Sequence, residues 1–223
     1  MSSDCLGVAK VGFRVAFGKR IDWYAGMFDA IEKLKEYISY KSVSADSAYK
    51  EDMAKTRDFV AKMLGEIGLS VEIVNTKKHP VVMARRTGDP SWPHVVIYGH
   101  YDVQPVDPIA LWETDPFVAT IKGDRLYGRG AADNKGPQMA HIAAVAELLE
   151  EHPDLPLRLT FIIEGEEEVG SPSLLPLLKE RKDELGEADF VLLSDTLSPS
   201  ADQIAVTVGL RGIVEMEFEL VGP

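Results

Sequence analysis

A single cysteine, Cys5, stands in a chain of 223 residues. No intrachain disulfide can form, and zinc sites built from several thiolates are excluded. One cysteine fits a reducing compartment, and the expected location is cytoplasmic. Long apolar runs are also missing, since none approaches the ~18 residues of a membrane span. The stretch from Leu6 to Arg20 is basic, with Val11, Phe13, Val15 and Phe17 alternating. It has neither a long apolar centre nor a clear cleavage site, so residues 1–20 read as an extension rather than a secretory signal. Positive charge is in short supply: 24 basic residues face 36 acidic ones, a net charge of -12. Such a chain repels nucleic acid and anionic membrane, and neither is an expected partner. The acidity serves solubility, or gathers around cations.

What is present is an ordinary globular composition, 45% hydrophobic and 27% charged, long enough for one sizeable core. Phe28, Ile31, Leu34 and Ile38 recur at helical spacing, which predicts an amphipathic helix from Met27 to about Tyr40. A second helix is expected near Tyr49 to Ile67, with Met53 and Met63 on its apolar stripe and Gly68 as its stop. Val71–Val74, Val81–Arg85 and His94–Tyr98 read as strands. Val118–Ile121 and Arg125–Tyr127 read as a hairpin about Gly123-Asp124. Gly136 to about Glu151 is a predicted helix, Leu157–Ile163 a central strand, Leu174 to about Leu185 a helix, and Phe190–Leu193 a buried strand. Helices alternating with apolar strands predict an α/β fold, a mostly parallel mixed sheet flanked by helices. After Gly209-Leu210-Arg211-Gly212 the pattern changes. Val214, Met216, Phe218 and Leu220 alternate with Glu215, Glu217 and Glu219, which predicts a half-buried strand at Ile213–Leu220 and the start of a second domain.

Four sites rich in acids or histidine follow predicted strands. Gly99-His100-Tyr101-Asp102-Val103-Gln104-Pro105 comes after the His94 run. In an extended segment His100 and Asp102 face the same way, and a histidine with a carboxylate partner is an economical metal ligand. Asp133 lies in Gly128-Arg129-Gly130-Ala131-Ala132-Asp133-Asn134-Lys135-Gly136. Glu166-Glu167-Glu168 lies in Glu164-Gly165-Glu166-Glu167-Glu168-Val169-Gly170-Ser171. Asp195 follows Phe190–Leu193. In open α/β sheets, sites form outside the carboxyl ends of the strands, so all four can converge. One imidazole with several carboxylates suits Zn²⁺ or Mn²⁺ better than Ca²⁺. Glu166 reads as a spectator. His79, His94, His141 and His152 carry no carboxylate pattern and read as structural or exposed; Lys135 and Arg129 read as loop-structuring.

These motifs resemble the signatures of the dinuclear-zinc metallopeptidases that include carnosinases, cytosolic nonspecific dipeptidases, carboxypeptidase G and the acetylornithine and succinyl-diaminopimelate deacylases. Gly-His-Tyr-Asp-Val-Gln-Pro followed by Gly-Arg-Gly-Ala-Ala-Asp-Asn-Lys-Gly is similar to the dipeptidase branch in particular. The resemblance runs from about Met27 to Pro223. It implies two divalent metal ions, Zn²⁺ with Mn²⁺ as the alternative. By position it implies that His100 and Asp195 ligate one metal, Glu168 the other, and Asp133 both. It makes Glu167 the general base, Asp102 the partner of His100, and the Asp133–Asn134 peptide bond cis.

The implied activity is metal-dependent hydrolysis of a peptide bond in dipeptides or short peptides. The alternatives are an N-acyl amino acid deacylase of the same superfamily, or an inactive fragment acting as a binding module. The implied layout is a catalytic domain over residues 21–208 and the start of a lid or dimerisation domain at 209–223. The remainder of that lid, a further metal-binding histidine and a homodimer contact are expected of sequence beyond Pro223.

Overall fold

The computed structural model describes residues 28–196 and, beyond them, 200, 203, 205–210, 212, 214 and 216–222. The predicted extension at residues 1–20 lies outside the described residues.

Asp29 caps the first helix, α1 (Ala30–Ser39), by accepting the N–H of Glu32, which satisfies one of the donors every helix start leaves open. Leu34, Tyr37 and Ile38 bury its inner face. The second helix, α2 (Lys50–Glu66), buries Met53, Phe59, Val60, Met63 and Leu64 on one stripe. Strands β1 (Ser70–Val74) and β2 (Val81–Arg86) follow, then β3 (His94–His100), the small hairpin β4 (Thr120–Lys122) with β5 (Arg125–Tyr127), α3 (Lys135–Glu151), β6 (Arg158–Glu164), α4 (Leu174–Glu180), α5 (Lys182–Leu185) and β7 (Phe190–Leu193).

The main sheet has the order β1-β2-β6-β3-β7. Strands β6, β3 and β7 are parallel neighbours, and β2 runs against both β6 and β1. Four of the five strands therefore point one way, which makes the sheet mostly parallel in direction but mixed in pairing, as expected. The pleat sends alternate side chains to opposite faces. On one face Val82, Ala84, Ile97, Phe161 and Ile163 join α1, α2 and α3 in the larger core. On the other, Val81, Met83 and Ile162 meet Leu177 of α4. No helix among the described residues is long and apolar enough to cross a membrane.

Three expectations change. The helix predicted from Leu174 to Leu185 bends at Arg181, where the backbone leaves the helical region (φ -95, ψ 12), so α4 and α5 are separate. Strand β7 is predicted as buried, but all four of its residues are exposed, because it forms the sheet edge. The alternating segment Ile213–Leu220 forms no strand among its described residues, and Val214, Met216, Phe218 and Leu220 are exposed. Alternation supplies an apolar face, but a strand also needs a hydrogen-bonded neighbour.

Candidate metal centre

Because β3, β6 and β7 are parallel, their carboxyl ends lie along one edge of the sheet. His100 ends β3 and pairs in register with Glu164, the last residue of β6. Glu167 and Glu168 begin the short 3₁₀ turn just beyond β6, and Asp195 comes two residues after β7. Asp133 arrives from the loop before α3. That loop turns through Gly130 at φ +85, a conformation that favours glycine. It then packs so closely that a Cβ on Gly136 would collide with the carbonyl oxygen of Ala131. The Asp133–Asn134 bond is cis, as the resemblance implies.

The predicted residues meet around one nitrogen. His100 is fully buried, and its Nε2 lies 3.0 Å from Asp133 Oδ1, 3.8 Å from Asp195 Oδ2 and 3.9 Å from Glu167 Oε2. That nitrogen makes no hydrogen bond. Two sets of potential ligand atoms, His100-Asp133-Asp195 and His100-Glu167-Glu168, each gather within 4.8 Å. Burial by itself would lower the His100 pKa, but the carboxylates of Asp102, Asp133 and Asp195 outweigh it and push it up to about 12. The imidazole and carboxylate donors gathered there suit a divalent metal ion. Burial raises Glu167 as well, and the nearby Asp195 and Asp133 charges add to that against the pull of His100. Glu168 is pushed up to about 7, chiefly by burial.

Asp102 does more than face His100. Its backbone carbonyl, 3.0 Å from His100 Nδ1, is the closer partner of the ring; its Oδ1 stands 3.4 Å from the same nitrogen. The buried carboxylate also accepts the N–H of Glu167 at 3.3 Å, the N–H of Glu168 at 3.1 Å and the hydroxyl of Ser44 at 2.6 Å. Gln104 donates to Glu168 through its backbone N–H at 3.2 Å and its side-chain amide at 2.7 Å. Ser44 carries no sequence signal for its contact, because serine is common in any loop; Gln104 stands in the first motif, whose pattern does not tell its partner.

The remaining acids divide by their partners. Glu166, read as a spectator, is buried and accepts hydrogen bonds from the His79 N–H, from Thr76 and from both the N–H and hydroxyl of Ser173. It braces the loop without facing His100. Glu164 accepts from Tyr98 and Ser171 at 2.8 Å each, and burial raises its pKa. Lys135, read as loop-structuring, is fully buried and donates to the carbonyls of Tyr37 at 2.9 Å and Tyr40 at 2.8 Å. It thus closes the carboxyl end of α1 and anchors the segment carrying Asp133.

A family model described as peptidase family M20/M25/M40 matches residues 96–222. The chain is 36% identical over 196 residues to human Beta-Ala-His dipeptidase, covering 82% of this chain and 39% of that protein. It is 34% identical over 206 residues to the Cys-Gly metallodipeptidase of Schizosaccharomyces pombe, covering 86% and 43%. The crystal structure of human carnosine dipeptidase 1 superposes with a TM-score of 0.71 at 36% identity, over 76% of this chain and 38% of that one. The chain therefore spans about two fifths of the length of these relatives. With its three motifs gathered at one sheet edge and its sequence matched across more than half its length, the chain belongs to the metallopeptidase family M20/M25/M40.

Proposed function

We propose that the protein hydrolyses the peptide bond of dipeptides or short peptides with the help of two divalent metal ions, Zn²⁺ or alternatively Mn²⁺. The observation that carries this reading is His100 Nε2, buried, without a hydrogen bond, and faced by the carboxylates of Asp133, Asp195 and Glu167. His100, Asp133 and Asp195 would hold one ion; Glu168 would hold the other, with Asp133 shared. Bound there, divalent ions polarise the scissile carbonyl and lower the pKa of water.

The rest of the chemistry belongs to the chain. A proton on Nδ1 of His100 points to the Asp102 carbonyl, which leaves the Nε2 lone pair free to ligate. Glu167 takes the proton of the attacking water and delivers it to the leaving amine. Burial raises its pKa, which makes it a stronger base than an exposed carboxylate. The Asp133 side chain is 60% exposed, so the site opens to substrate on that side. On this reading residues 21–208 form the catalytic domain and 209–223 begin a lid through which the full-length protein forms a homodimer. The expected setting is cytoplasmic.

The test is amine release from a panel of dipeptides and N-acyl amino acids, with added Zn²⁺ or Mn²⁺. Turnover of dipeptides, abolished by a chelator and restored by metal, is the expected result. Turnover of N-acyl amino acids alone would replace the reading with that of a deacylase. Absence of both metal binding and turnover would leave a binding module.

A further inference from the structure

We propose that Asn134 and His141 are positioning residues that latch Asp195 against Asp133; the inference rests on the metal-centre reading above. Strand β7 is the edge of the sheet, and its ladder to β3 ends with the pair Tyr98–Leu193. Phe190 and Val191 are 64% and 63% exposed. Asp195 lies two residues past the last ladder pair, where backbone pairing no longer places it. Beyond the ladder the carboxylate depends on side-chain partners for its orientation, and such partners tune the groups that touch a metal.

Three side-chain contacts make up the deficit. The amide of Asn134 donates to the carbonyl of Ser194 at 2.9 Å and to Asp195 Oδ1 at 3.2 Å. His141 Nε2 and the Ser194 hydroxyl share a hydrogen bond of 2.8 Å. Asn134 is the cap residue just before α3 and His141 lies within that helix, and both side chains reach Ser194. The chemistry suits the task. An amide NH₂ carries two donors, one for a carbonyl and one for a carboxylate, and it leaves the other lone pairs of Asp195 free.

Asn134 also joins the other two groups of the cluster. It directly follows Asp133, and its Oδ1 would lie 3.0 Å from a Cβ placed on Gly99, the residue before His100. It is only 2% exposed, so its bonds are made away from water. One side chain thereby sets the spacing of Asp133 and Asp195 about His100 Nε2. The pattern of the sequence could not reveal this, because Ser194 and His141 meet only after β7 and α3 have packed.

The test is Co²⁺ and Zn²⁺ binding to the intact protein, followed by titration calorimetry and by the visible absorption of Co²⁺. Melting temperature in chelator is measured alongside. Asn134→Ala should weaken affinity ten- to a hundredfold and change the Co²⁺ spectrum. His141→Ala and Ser194→Ala should each weaken it several-fold, and the double variant no further than the stronger single one, as expected of two halves of one contact. His141→Gln, whose amide can still meet the Ser194 hydroxyl, should recover affinity. If the variants lower only the melting temperature in chelator and bind metal like the parent protein, the latch is overturned. If the parent protein itself binds neither ion, it is the metal-centre reading that fails.

Discussion

The buried carboxylate of Asp102 accepts the backbone N–H of Glu168 at 3.1 Å, across 66 residues of chain. With the N–H of Glu167 on its other oxygen, one aspartate fastens the β6 loop to the end of β3. Asp102→Asn turns one of those acceptors into a donor that faces another donor. The expected cost is about 10- to 100-fold in metal affinity or turnover, read by metal titration and by hydrolysis rates. Ser44→Ala removes one contact only and should cost less. An Asp102→Asn protein that matches its parent would refute the bracing role.

Glu167→Gln keeps the shape of the side chain and removes its basicity. Turnover should fall by about 10²–10⁴-fold, while metal affinity falls far less, because Glu167 is assigned the proton and not the ion. Loss of metal binding in step with activity would instead make Glu167 a ligand.

Asp133, Asp195, Glu167 and Glu168 crowd toward one imidazole, so a bound cation should stabilise the fold. At a free metal concentration about 100 times Kd, one site adds about 2.7 kcal/mol. For a domain of this size that corresponds to about 5–11 °C in Tm. Melts with Zn²⁺ and with excess chelator check this, and identical transitions would count against a structural contribution from metal.

Burial lowers the pKa of His141, so the folded protein binds this ring's proton less tightly than the unfolded chain does. The unfolded chain binds the proton at about pH 6.5. Stability from this group is therefore complete above about pH 6.5 and is lost as pH falls through the lower folded value. The ring should titrate below pH 6.5 by NMR, and Tm should fall on acidification with a shallower slope in His141→Gln. A midpoint at or above 6.5 would contradict the assignment.

Lys135→Met leaves the Tyr37 and Tyr40 carbonyls without their donor. Each buried acceptor left unsatisfied costs about 1–3 kcal/mol, so a clear drop in Tm is expected in denaturation with or without metal. A variant as stable as the parent would show that water replaces the ammonium at the end of α1.

Local order determined much of this protein. Apolar runs such as Leu157–Ile163 marked the strands, because burial on both faces leaves no room for polar residues. His100, Glu167, Glu168 and Asp195 were expected near one another because they follow apolar runs, and β3, β6 and β7 carry their carboxyl ends to one edge; Asp133 comes from the loop before α3, and only the resemblance of its motif pointed to it. Only the tertiary structure decided the rest. The order β1-β2-β6-β3-β7 put Phe190–Leu193 on the edge, and a buried-looking run became exposed because a strand is covered by its neighbours and not by its composition. The segment Ile213–Leu220 alternates correctly and still forms no strand among its described residues, since pairing needs a second strand. Ser44 reaches Asp102 across 58 residues and Asn134 reaches Asp195 across 61. Such hydrogen bonds depend on where distant segments pack, which no spacing along the chain encodes.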